Sequence, residues 1–228
     1  MEKNNLTKKE LSKALLDVRK AYRLLFEHQS RIIQLIEYIK DAYGMKGDGG
    51  NKFFSDPLWP KKNDYPQLWT KSGMWAWDFF YSYLFEFYFG YDECKTDRNK
   101  EFSMSIVEVC DTGYWDPTNI EKVHDRINTF APEEDSSSCL IFVFECIDKS
   151  KKQYHWESKE KLGEELDRFL SSGEKQYILD TRGNNSFILV RFDMADFINH
   201  QAVNKILSEF HNLVEQKTGV QLLVRDLD

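Results

Sequence analysis

Apolar and polar positions near the start of the chain follow a rhythm of four and three. Leu11, Leu15, Val18, Tyr22, Leu25, Ile32, Ile36, Ile39 and Tyr43 keep that spacing, with Gln29 at the seam position between Leu25 and Ile32. This is a heptad seam, and it predicts one helix from Lys8 to Tyr43. Thr7 and Glu10 make a capping box ahead of it, Leu6 and Leu11 stand at the two positions of a hydrophobic staple, and Gly44 supplies a left-handed stop. Such a helix runs about 54 Å, whereas a compact chain of this length has a radius of gyration of about 17 Å, so it spans the molecule or projects from it. Leu24, Phe26, Ile33 and Leu35 widen the stripe, which suits packing on the protein's own body as well as pairing with a second copy. A polar Gln29 in the seam lowers stability and can fix register or oligomer state.

From 44 to 73 the rhythm breaks. Gly47, Gly49 and Gly50 are followed by Pro57, Pro60 and Pro66, interleaved with Phe53, Phe54, Trp59, Tyr65 and Trp69. The prolines exclude a long regular element, and the segment reads either as a binding loop or lid or as an arm whose aromatics plug into the core. Trp75 to Phe89 then carries ten aromatic residues. A strand of that length exceeds the usual five or six residues, while a helix gathers Asp78, Ser82 and Glu86 into one polar stripe, so the pattern predicts a central aromatic helix packed with the first. Asp78 and Glu86 then need donors, from Arg19, Arg23 or Arg31 or from the loop before Gly73.

Beyond Asp92 the pattern turns mixed. Phe102 to Cys110 and Cys139 to Ile147 read as strands, the second apolar on both faces and therefore central. A short helix is expected from about 119 to 128 and another from Ser158 to Ser171. Strands at 176–181 and 187–193 flank a hairpin turn rich in Gly and Asn. A last helix, capped near Asn199, ends at Gly219 before a strand from Val220 to Val224. The predicted fold is α+β, a helical region over 1–91 followed by a mixed, mostly antiparallel sheet with flanking helices over 92–228, the two packed as one domain.

Composition narrows the function classes. Of 228 residues, 31 are Lys or Arg and 38 are Asp or Glu, a net charge of -7 that argues against general nucleic-acid binding, where phosphate neutralisation needs a basic surface. No run approaches the ~18–20 apolar residues of a membrane span, and the opening Met-Glu-Lys-Asn-Asn lacks the apolar core of a signal peptide. A cytoplasmic protein is expected. Cys94, Cys110, Cys139 and Cys146 form no C-x-x-C, so reduced thiols, no metal and no cofactor are expected. Glycine-loop nucleotide motifs and the G-x-S-x-G elbow are absent, and His28, His124, His155, His200 and His211 show no metal-helix spacing.

Two functional readings remain. One is a non-enzymatic interaction or ligand-binding protein with a protein partner or a homodimer through the Leu11 to Tyr43 helix. Its ligand-binding candidates are Trp59, Trp69, Trp75, Trp77, Asp78 and Glu86, because Trp offers a large rigid contact area with a polar tip. The alternative is a metal-dependent phosphodiester hydrolase, in which Glu108, Asp111, Glu145 and Asp148 at strand ends hold a divalent cation and Lys149 steadies the developing charge. Restriction-type nucleases place the acid and the Lys two positions apart on one strand. Here the residue two after Glu145 is Ile147, and Lys149 lies four on.

Overall fold

In a computed structural model of the chain, the residues described are 7–47, 49–53, 83–95, 97–116, 127–151, 159–180 and 185–222. The chain divides into two compact units, Met1–Ile39 and Lys40–Asp228. The first is the bulk of α1, Lys8–Ala42. Its start is fixed by the capping box: Glu10 Oε2 accepts from the Thr7 backbone amide at 2.8 Å, and Thr7 Oγ1 accepts from the Glu10 amide at 3.3 Å. Its end is fixed by Gly44 at φ 65°.

The second unit is built on a five-stranded antiparallel sheet of order β1-β2-β3-β5-β4. Its strands are β1 (Leu84–Glu93), β2 (Lys100–Val109), β3 (Cys139–Asp148), β4 (Gln176–Asp180) and β5 (Ser186–Asp193), with α2 (Lys159–Ser172) and α3 (His200–Thr218) completing the order. The strand apolar on both faces, β3, is the middle one, as its composition demands. Val107, Val109, Ile141, Val143, Phe187 and Leu189 form one face, and they bury Leu162, Leu166, Phe169 and Leu170 of α2. On the other face Phe142 stacks edge-on against Phe210 of α3, with centroids 5.1 Å apart. Asn199 caps α3 by accepting the Ala202 amide, and Gly219 ends it at φ 75°.

Two expectations need correction, and a third is described only at its end. Leu84 to Phe89 is strand, not helix. The length objection to a strand disappears because β1 begins only at Leu84. Phe85 and Phe87 then face one side and Leu84 and Glu86 the other, while an irregularity between Tyr88 and Tyr91, with Gly90 at φ 88°, re-aims the aromatics beyond. Trp75 to Ser82 lies outside the described residues. Val220 to Leu222 is not strand either: Val220 and Leu222 are buried, but the Val220 amide bonds to Thr218 Oγ1 rather than to a ladder. Of the helix expected at 119–128, the described end at Ile127–Thr129 is a single 3₁₀ turn, and 119–126 lies outside the described residues.

The segment after Gly44 is an arm. Gly47 donates to the Phe89 carbonyl, Tyr88 to Gly49, Glu86 to Asn51 and Phe53 to Leu84, so the arm runs antiparallel along the open edge of β1. Phe53, the last described residue of this stretch, lies in the core with α2, and 54–73 lies outside the described residues. An uncovered edge strand is a template for unwanted pairing, and the arm removes it.

Candidate functional site

Among the described residues, the exposed large apolar side chains concentrate on α1. The large apolar side chains exposed there are Leu11, Leu15, Leu16, Val18, Tyr22, Leu24, Leu25, Phe26 and Ile33. Five of them, Leu11, Leu15, Val18, Tyr22 and Leu25, are successive positions of the seam, each 45% to 67% open. Ala14 and Ala21 lie along one flank of the seam, with Arg19 and Phe26 along the other. With Phe26 this stripe presents on the order of 600 Å² of apolar surface, at the upper end for the largest patch of a monomer. Residues 8–31 also carry seven Lys or Arg against three Asp or Glu, a local charge of +4 in a chain whose total is -7.

A second concentration is buried within the sheet. Glu86 on β1, Ser103 and Ser105 on β2, and Glu145 on β3 lie on the α2 face of the sheet and are almost wholly buried. Ser103 stands directly opposite Glu145 in the register, and Ser105 is diagonal to Glu86. Asn51 of the arm donates its side-chain amide to Glu86 Oε2 at 2.6 Å. Burial pushes the Glu86 carboxyl above its ordinary value, opposed by Asn51 and by the nearby Ser105 hydroxyl. Ser105 is close enough to influence that carboxyl but makes no hydrogen bond of good geometry to it: Glu86 Oε1, Ser103 Oγ and Ser105 Oγ are buried without a partner. A carboxyl held toward its neutral form beside a hydroxyl can both donate and accept, and leaving such atoms unpaired costs about 1–3 kcal/mol each. The donor for Glu86 thus comes from the loop before Gly73 and is an amide, not an arginine.

The acidic strand ends do not assemble. Glu108 pairs with Leu140, whereas Glu145 pairs with Ser103, so the two are five register positions, about 17 Å, apart along the strands and on opposite faces. Asp111 accepts the Gly113 amide at one end of the sheet, while Asp148 accepts from Ser150 and Lys149 pairs with Glu93 at 2.6 Å at the other. Trp59, Trp69, Trp75, Trp77 and Asp78 lie outside the described residues. The sequence reading missed a cleft of about 370 Å³ lined by Phe53, Leu84, Tyr114, Trp115, Leu166 and Asp167. Trp115 donates its indole N–H to Asp167 Oδ1 there at 2.9 Å. The only local signal was Trp115 itself, since Asp167 arrives from α2, 52 residues away.

Comparison with known proteins adds a family. A model of the PM0109 family matches residues 8–219, from the first residue of α1 to the glycine that ends α3. The chain belongs to the PM0109 family. The matched range takes in the long helix, the sheet and α3 of this chain. A Pasteurella multocida (strain Pm70) relative, "Uncharacterized protein PM0109", is 25% identical over 169 residues, which cover 64% of this chain and 66% of the relative. The match thus spans just under two thirds of that PM0109 protein. No solved structure matches. Among the described residues no helix is long and apolar enough to cross a membrane.

Proposed function

We propose that this protein is a non-enzymatic cytoplasmic interaction protein whose contact surface is the N-terminal half of α1, and that its partner there is a second copy of the chain. The observation that carries the reading is the run Leu11, Leu15, Val18, Tyr22 and Leu25, a heptad seam left open on a helix. Alternation by four and three is the spacing by which one helix meets another, which favours a helix as the partner of this stripe. The stripe approaches the ~800 Å² that a standard interface takes from each partner. Free Cys94, Cys110, Cys139 and Cys146 fit a reducing compartment.

Light scattering on Val18→Asp and Leu25→Asp tests the reading. Both changes are expected to give monomers with unchanged far-ultraviolet dichroism, because an exposed seam contributes to association and little to the sheet. A monomeric wild type, or variants that associate as the wild type does, would overturn it.

A further inference from the structure

Cys94, just past β1, and Cys146, on β3, are 52 residues apart in sequence, yet their sulfurs lie 3.9 Å apart in a buried site. Cys146 stands on β3 opposite Phe102 of β2, and Cys94 reaches it from the turn that connects β1 to β2, where its amide is held by the Lys100 carbonyl. We propose that Cys94 and Cys146 form an oxidant-responsive dithiol, reduced at rest and closed to a disulfide by hydrogen peroxide. Three features beyond the distance support this. The Cys94–Cys146 contact is a thiol hydrogen bond that favours the Cys146 thiolate, and the Lys100 ammonium stabilises negative charge on both sulfurs. Cys94 borders an exposed turn, Lys95, Arg98 and Asn99, so a small oxidant needs only a local opening to reach the pair. Cys94 is itself pushed up, by its hydrogen bond with Cys146 and by burial, so Cys146 is the member of the pair that favours the thiolate. Cys110 and Cys139 are both pushed up by burial, and Cys110 also by the carboxylate of Glu108, so they provide an internal comparison for Cys146 in the same chain.

The chemistry balances in two steps. The Cys146 thiolate attacks one peroxide oxygen, the O–O bond breaks, and the departing oxygen takes a proton and leaves as water, giving a sulfenic acid on Cys146. The Cys94 sulfur then attacks the Cys146 sulfur, the S–O bond breaks, and the hydroxyl leaves as a second water with the Cys94 proton. Two thiols and one peroxide become one disulfide and two waters. The product ties the turn after β1 to the central strand.

The test is oxidation of the full-length protein with hydrogen peroxide, followed by alkylation, non-reducing digestion and mass spectrometry. The expected result is a fall from four to two alkylatable thiols in denaturant and a linked peptide pair containing Cys94 and Cys146. Cys94→Ser should strand Cys146 as a sulfenic acid that dimedone traps, whereas Cys146→Ser should slow trapping at Cys94 by about tenfold or more. Retention of four free thiols, or a Cys110–Cys139 link formed first, would overturn the proposal in the wild type without recourse to any variant. Equal trapping of the two cysteines in the single variants would overturn the order of steps.

Discussion

Asn51 and Glu86 meet across 2.6 Å, and their contact fastens the arm that precedes the sheet to a carboxyl buried within it. Because burial raises the Glu86 pKa, the folded state holds a proton that the unfolded chain releases at the same pH. The contribution of Glu86 to stability is therefore complete below its ordinary value of 4.5 and is lost as pH rises through the raised one. Glu86→Gln cannot ionise and keeps an acceptor for Asn51. Urea melts should show the wild type losing stability relative to Glu86→Gln as pH rises from about 4.5. Parallel curves would mean that Glu86 is not buried in the manner described.

The arm depends on Gly50. Its φ is 148°, and a Cβ there would overlap the Glu86 carbonyl oxygen. Gly50→Ala should cost about 2 kcal/mol or more through backbone strain and displacement of the arm from β1. Gly173 also has positive φ, 69°, but open space around it, so Gly173→Ala should cost only about 1 kcal/mol. Denaturant melts of the two variants measure the difference, and equal costs would contradict the edge-covering role.

Tyr43 donates its hydroxyl to the Leu207 carbonyl at 2.9 Å in a buried site, joining the residue after α1 to α3. Tyr43→Phe should destabilise the fold by about 1 kcal/mol, since the ring contact with Phe210 remains and one carbonyl loses its donor. A change near zero in thermal or urea melts would indicate that water replaces the phenol.

Legibility in the sequence followed the range of the forces involved. The helix limits were readable because a capping box and a left-handed glycine act over three or four residues, as Thr7, Glu10, Asn199 and Gly219 do. Strand β3 was readable as central because Cys139 to Ile147 is apolar on both faces. Leu84 to Phe89 was misread because the aromatic run from Trp75 was taken as one element, too long for a strand, and a polar stripe at 78, 82 and 86 fitted a helix, whereas β1 begins only at Leu84. Glu86 was named as a residue that must find a donor, but its partner Asn51 depends on the arm pairing with β1, a contact no local period encodes. The heptad seam was plain, whereas its exposure from Leu11 to Leu25 was not, because periodicity says which residues share a face and not what covers it.

Charge on α1 gives the association a distinctive salt dependence. Two helices that each carry +4 over residues 8–31 repel when their seams meet, and salt screens that repulsion while leaving apolar burial intact. Self-association should therefore tighten between about 50 mM and 500 mM sodium chloride, where the Debye length shortens from above to below ~10 Å. Weakening with salt would point instead to an oppositely charged surface as the partner of this helix.

Sedimentation equilibrium of the wild type tests the central claim most directly. Pairing through the Leu11 to Leu25 seam predicts a concentration-dependent rise to twice the 27.1 kDa chain mass, abolished by Leu25→Asp. A single species of 27.1 kDa at every concentration would contradict it.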